Sequence, residues 1–300
     1  MEFDEPDVSI RLADIPESLY MGKDPDKVFY RFDLDEFILH FPGAARYRVI
    51  KGCEILVQPF SDSDPSAYRI YILTITMAAA LMQRQKILLH ASAILHDGGL
   101  MLFLGDSGAG KSSLVAELCR RGYRFFSDDV CVLEDRSPDV PEVRAFASYP
   151  MMKLWQTTVD ALDDALFNTR HRIWPDTEKY GQFFHHEFMT RSYPVKKIFV
   201  LNPGHFGSGI SYTAAPVTGI EAFQWMTQHT YRKQFIHEVS LQASHLKAIG
   251  RIVEQVDIGI LSRSHQASDI SSFADFAEKQ FREEHFPIDM LPPAEPLRQM

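Results

Sequence analysis

Short runs of alternating apolar and polar residues at 28–32, 37–41, 47–50 and 54–57 open the chain, separated by Pro42-Gly43, Lys51-Gly52 and the stretch 62–65. Period-two alternation between turn residues predicts a small antiparallel β unit. The pattern then changes: a helix is predicted over 68–84 and a buried strand over 87–95. A turn at His96-Asp97-Gly98-Gly99 leads to an unbroken apolar strand at 100–104, as central strands read. A helix over 111–121 buries Leu114, Val115 and Leu118 and stops at Gly122, and strands follow at 123–127 and 130–133. Further strands are predicted at 196–201 and 256–261. Helices are predicted over 219–231, 232–255 and 269–283, the last with Ile270, Phe273, Phe276 and Ala277 on one face.

Composition narrows the class. The chain has 300 residues, 45% hydrophobic and 24% charged, as in water-soluble globular proteins. Lys+Arg of 31 against Asp+Glu of 40 gives −9, which argues against nucleic acid as a partner, since that affinity comes from neutralised phosphates. The longest apolar stretch, 70–82, falls short of the roughly 20 residues that cross a bilayer, so it predicts a buried helix and no membrane partner. The amino terminus is acidic, without the basic-then-apolar order of a secretory signal. Three cysteines make no disulfide framework, and a reducing cytoplasm is the expected setting.

Gly105-Asp106-Ser107-Gly108-Ala109-Gly110-Lys111-Ser112-Ser113 matches the phosphate-loop pattern G-x-x-x-x-G-K-[ST], between an apolar strand and an amphipathic helix. A chance match in a chain of this composition is on the order of one in a hundred before those flanks are required. Amides turned inward by Gly108 and Gly110 suit phosphate oxygens, and the helix start adds positive potential. Lys111 can reach the β- and γ-phosphates, and the Ser112 hydroxyl can hold Mg²⁺. The dinucleotide pattern G-x-G-x-x-G fails, because Ser113 stands where glycine is required. The expected cofactors are a nucleoside triphosphate, ATP or GTP, and Mg²⁺.

Ser127-Asp128-Asp129 ends the strand after that helix, where strand carboxyl ends face the ligand crevice of an open α/β sheet. One acid can hold Mg²⁺ and the other can take a proton from an attacking hydroxyl. His90, on the strand before the loop, reads from spacing alone more readily as a satisfied core histidine than as a catalytic one.

Leu89-His90-Ala91, the loop from Gly105 to Ser112 and Ser127-Asp128-Asp129, in this order and spacing, resemble the catalytic domain of HPr kinase/phosphorylase. The likeness covers about 86–135. It implies an α/β fold with a mixed α+β sheet: a P-loop nucleotide-binding core of the HPr kinase/phosphoenolpyruvate carboxykinase type, with a small N-terminal β-rich subdomain. The expected division is 1–67 for that subdomain, 68–286 for the catalytic domain and 287–300 for a Pro-rich tail. The resemblance implies that Lys111 and Ser112 bind phosphate and metal, that Asp128 is the base, that Asp129 joins the metal, and that His90 stands beside the phosphates. Residues 135–154 lack the Glu-x-Arg-Gly-x-Gly segment of the bifunctional enzymes, so the reverse reaction is not implied. Leu89-His90-Ala91-Ser92-Ala93 is closer still to HPr-kinase-like proteins of peptide natural-product pathways. Some of these resemble lasso-peptide tailoring kinases, which phosphorylate a precursor's carboxy-terminal serine.

His186-Glu187 and His237-Glu238 begin like zinc-protease helices but lack the second histidine, so no zinc site is predicted. The basic-aromatic segment 168–193, with Arg172 and Lys179, and Lys153 before it, is either a clamp for the acceptor's anionic groups or a solvated surface. Three functions stay open: a serine kinase, a nucleotide-gated switch with slow hydrolysis, and a carboxykinase-type lyase. Expected partners are a nucleoside triphosphate and a peptide or small protein bearing a serine hydroxyl; self-association into a homo-oligomer stays open.

Overall fold

The computed structural model of the chain describes residues 7–134, 142–167, 170–173, 177–204, 211–236, 239–264 and 269–283. The fold is mixed α/β. The chain divides into two compact units, 1–88 with 230–248, and 89–229 with 249–300. This differs from the expected break at 67, and the tail at 287–300 lies outside the described residues.

The first unit is built on a five-stranded sheet ordered β1-β5-β4-β3-β2. Its strands are β1 (Ser9–Leu12), β2 (Phe29–Phe32), β3 (Glu36–Phe41), β4 (Ala45–Ile50) and β5 (Glu54–Pro59). The strands β2 to β5 form the antiparallel meander expected from alternation, but β1, whose four residues are all exposed, adds in parallel to β5. The predicted helix over 68–84 starts earlier, as α1 (Pro65–Tyr71), and continues through a π-helical stretch Ile72–Thr76 into α2 (Met77–Gln83). Two threonines inside this apolar run satisfy their hydroxyls on the helix itself: Thr74 Oγ1 donates to the Ile70 carbonyl at 2.7 Å and Thr76 Oγ1 to that of Ile72 at 3.0 Å. The predicted helix over 232–255 is shorter at its start. Residues Lys233–Phe235 form a 3₁₀ turn, and Phe235 fills the first unit's core, stacked on Phe32 at 5.4 Å and tilted against Phe37 at 5.2 Å.

Strand β6 (Ile87–Leu89) carries the chain toward the second unit, whose strands are β7 (Ala91–His96), β8 (Gly99–Leu104), β9 (Arg124–Ser127), β10 (Cys131–Glu134), β11 (Arg144–Ala147), β12 (Met151–Trp155), β13 (Arg170–Arg172), β14 (Lys179–Phe183), β15 (Tyr193–Gly204), β16 (Tyr212–Pro216) and β17 (Asp257–Ser264). The expected strand 87–95 is thus two strands, broken at His90, whose amide donates to the His229 carbonyl at 2.8 Å. A tight turn with positive φ at Asp97 (46°) and Gly98 (74°) joins β7 to β8. The main sheet runs β10-β11-β15-β8-β7-β9, with β17 beside β15 and β16 beside β17. Because β8, β15 and β17 are parallel and β7 is antiparallel to both β8 and β9, the strands β8, β9, β15 and β17 all end at the same edge.

Helices α3 (Lys111–Arg120) and α7 (Ile270–Phe281) cover this sheet through Leu114, Val115, Leu118, Phe273 and Phe281, packed with Phe103 and Phe199. Helices α4 (Gln156–Leu162), α5 (Gly219–Gln228) and α6 (Val239–Gln255) are the remaining α-helices among the described residues. Within the segment 168–193, β13 and β14 join β12 in a small antiparallel sheet, β12-β14-β13. Among the described residues no helix is long and apolar enough to cross a membrane.

Candidate active site

The loop after β8 is shaped by glycine. Gly108 and Gly110 hold φ of 86° and 97°, a region that costs other residues a steric clash. Nothing stands within 4 Å of a Cβ placed on Gly108, so that side of the backbone is open to a ligand. Gly110 is also the N-cap of α3, and no side chain caps the helix there. The first amides of α3 therefore lack the usual partner at a helix start that carries positive potential. Lys111 is buried at 6% exposure, and its Nζ donates to the carbonyls of Gly105 at 2.7 Å and Asp106 at 3.1 Å. Burial holds its ammonium below the usual lysine range, against the pull of Asp128, Asp129 and Asp106.

The two acids occupy different surroundings. Asp128 is 1% exposed. Its Oδ1 accepts from Ser92 Oγ at 2.5 Å and from Ser112 Oγ at 2.8 Å, and its Oδ2 from the Lys153 amide at 2.8 Å. Asp129 has φ of 72°, in the left-handed region, so the backbone departs from the strand there and its side chain takes different partners from that of Asp128. Its Oδ2 accepts from Lys153 Nζ at 2.6 Å, and its carbonyl accepts from His90 Nδ1 at 2.9 Å. Burial pushes the Asp129 carboxyl up, but Lys153, with His90 and Lys179, outweighs it and holds the group below the usual carboxylate range. Lys153 shows the complement: burial lowers it, and Asp129 and Tyr149 raise it further. His90 is held below the usual histidine range by burial and by Lys111, so it is neutral at pH 7.

These groups surround one cavity of about 290 Å³. Of the predicted loop residues, Ser107, Gly108, Gly110, Lys111, Ser112 and Ser113 line it, as do His90, both acids, Lys153 and Lys179. Gly105 and Asp106 serve it through the carbonyls that hold Lys111, and Ala109 is buried in the core beneath. Arg172 is not among the lining residues; it is exposed on β13, its guanidinium over the Tyr180 ring at 5.8 Å. Five participants escaped the sequence reading. Leu154, Trp155, Thr158 and Arg263 line the cavity, and Ser92, quoted only as part of a motif, holds Asp128. The available signal for Arg263 was its place two residues beyond the predicted strand 256–261, the same strand-end logic that singled out Asp128.

Ser112 and Asp128, with Asp129 adjacent in sequence, are hard oxygen donors of the kind Mg²⁺ takes together with substrate phosphates. Among the described residues, no cluster of three His, Cys, Asp or Glu side chains could hold a metal by itself. The Ser112–Asp128 pair fits an ion whose remaining ligands are phosphate oxygens and water.

Fold and site define a mixed α/β protein with a phosphate-loop motif between a central strand and a helix, facing an acid pair. No family model matches the sequence, and no curated protein matches it. Among solved structures, the chain is similar to the Hpr(Ser) kinase/phosphatase from Coxiella burnetii, at 12% identity and a TM-score of 0.33, over 65% of this chain and 90% of that one.

Proposed function

We propose that this protein is an ATP- and Mg²⁺-dependent kinase that transfers the γ-phosphoryl group to a serine hydroxyl of a peptide or small protein. The sequence resemblance supports the carboxy-terminal serine of a lasso-peptide precursor as the acceptor. One observation carries the reading: an uncapped helix start, Lys111, and the Ser112–Asp128 hydrogen bond converge on one cavity. Phosphoryl transfer asks for positioning and charge neutralisation more than covalent chemistry, and this site supplies both.

The amides of the loop and Lys111 bind the phosphate chain. Ser112 and Asp128 would hold Mg²⁺, which would supply neutralisation of the phosphate charge. The acceptor oxygen forms the new bond to the γ-phosphorus as its bond to the β,γ-bridging oxygen breaks and ADP leaves. The hydroxyl proton passes to a carboxylate, and the geometry favours Asp129. Its side chain is 20% exposed, whereas both oxygens of Asp128 are engaged by Ser92, Ser112 and the Lys153 amide. This exchanges the roles that the sequence resemblance implied for the two acids. A carboxylate held ionised by Lys153 is a weak base, which suffices where the transition state is loose.

Labelled ATP with candidate serine-bearing peptides tests this. Acceptor-dependent label transfer is expected, lost in Lys111→Ala together with nucleotide affinity. Asp129→Asn is expected to lose transfer while keeping nucleotide binding. Phosphate release without an acceptor would instead identify a switch, and oxaloacetate-dependent CO₂ release a lyase. Normal turnover in Asp129→Asn would overturn the assignment of the proton acceptor.

A further inference from the structure

Some cations of the second unit are paired with carboxylates. Arg121 is bound by Glu117, Asp275 and Glu278, Arg144 by Glu142, and Lys153 by Asp129. Arg263, near the end of β17, is different: among the described residues no carboxylate pairs with it. Its guanidinium lies against the Phe273 ring at 5.4 Å, and its Nη2 reaches only the Ala109 carbonyl, at 3.5 Å. It also lines the phosphate-loop cavity, where Nη2 stands 3.1 Å from the position a Cβ on Gly110 would take. A half-buried guanidinium without a counterion, facing a cavity, is incomplete until an anion arrives.

The topology says which part of the anion it meets. The order across the shared edge is β9-β7-β8-β15-β17, with the loop following β8. Asp128 and Asp129 follow β9 on one side of the loop, and Arg263 stands on β17 on the other. Ser112 and the acids fix the end of the cavity where the terminal phosphate reacts, so the nucleotide leads from there past the loop toward Arg263.

We infer that Arg263 binds the α-phosphate of the nucleotide, as a planar two-pronged donor resting over the Phe273 ring. The inference rests on the proposed nucleotide site and adds a residue to its nucleoside end. It predicts that the cation serves triphosphate and diphosphate alike, because both carry the α-phosphate.

Calorimetric titration of the full chain with Mg·ATP and with Mg·ADP tests this in the wild type, Arg263→Gln and Arg263→Lys. One charge-assisted hydrogen-bonding group at a partly exposed site is worth about tenfold in Kd. The expected result for Arg263→Gln is about that weakening for both nucleotides, with a smaller loss for both in Arg263→Lys. Wild-type affinity in a folded Gln variant overturns the inference. So does a loss confined to ATP, which would place the guanidinium at the terminal phosphate. If melting shows that the Gln variant does not fold, the Lys variant decides by the same two criteria. A wild-type protein that binds neither nucleotide overturns the proposed site itself, whereas a wild type that binds both beside an unaffected variant overturns only the role of Arg263.

Discussion

Replacing Glu117 by glutamine changes one charge inside the helix that presents Lys111 and Ser112, and the structure fixes what it should cost. Glu117 is 1% exposed. Its Oε1 accepts from Arg121 Nε and Arg120 Nη2, both at 2.8 Å, and its Oε2 from Arg120 Nε at 2.8 Å. Arg121 continues to Asp275 at 2.6 Å and to the Ser271 carbonyl at 2.7 Å, so the carboxylate on α3 aligns the arginine that ties α3 to α7. Arg120 is solvent-exposed, its bonds are screened, and it adds nothing to the count. The Arg121 contact is a charge-assisted bond in a mostly buried place, worth about 1.5–3 kcal/mol. Glutamine keeps the shape and one acceptor oxygen, so the expected loss at neutral pH is about 2 kcal/mol.

The pH dependence of that loss has a definite sign. Burial alone would raise the Glu117 carboxyl, but Arg120 and Arg121 outweigh it and hold the group below its ordinary 4.5. The folded state therefore favours the carboxylate. Its contribution is full above 4.5 and is lost as pH falls through the lower folded value. Urea unfolding of the wild type and Glu117→Gln should show a gap of about 2 kcal/mol near neutrality that narrows on acidification below 4.5. A gap under about 0.5 kcal/mol near neutrality, or one that widens in acid, would refute the reasoning.

Phe235→Ala should cost the first unit about 3–5 kcal/mol in urea unfolding, because the ring is 1% exposed and packs on Phe32, Phe37 and Tyr30. A loss below about 1 kcal/mol would mean that this turn does not belong to that core. Of the three thiols, only the exposed Cys53 should react quickly with an aromatic disulfide reagent under native conditions. Cys119 and Cys131 are buried, burial also raises the Cys131 thiol, and both should react only on unfolding. Two fast thiols would contradict the packing.

What the sequence revealed were features whose causes lie within a few residues. The loop at 105–113, its flanking strand and helix, and the turn at 96–99 each depend on local backbone geometry, and each stands where the pattern put it. The misread features have remote causes. The break at His90 answers to the carbonyl of His229, and the short start of α6 answers to Phe235 joining a core built around Phe32 and Phe37. Arg263 becomes part of the cavity only because β17 pairs with β15 and so ends at the same edge as β8. No local pattern announces that pairing.

The acid pair shows the same limit within two adjacent residues. Sequence shows two carboxylates at a strand end and gives no physical ground for telling them apart. The backbone separates them, because Asp129 takes a left-handed φ of 72°. Asp128 thus stays with the sheet, under Ser92 and Ser112, while Asp129 turns toward Lys153, 24 residues further on. Asparagine also tolerates left-handed backbone, so Asp129→Asn keeps the turn while removing the charge that pairs with Lys153. A melting measurement beside the transfer assay therefore separates lost proton acceptance from lost stability, where alanine, which left-handed backbone disfavours, would add a backbone change to both.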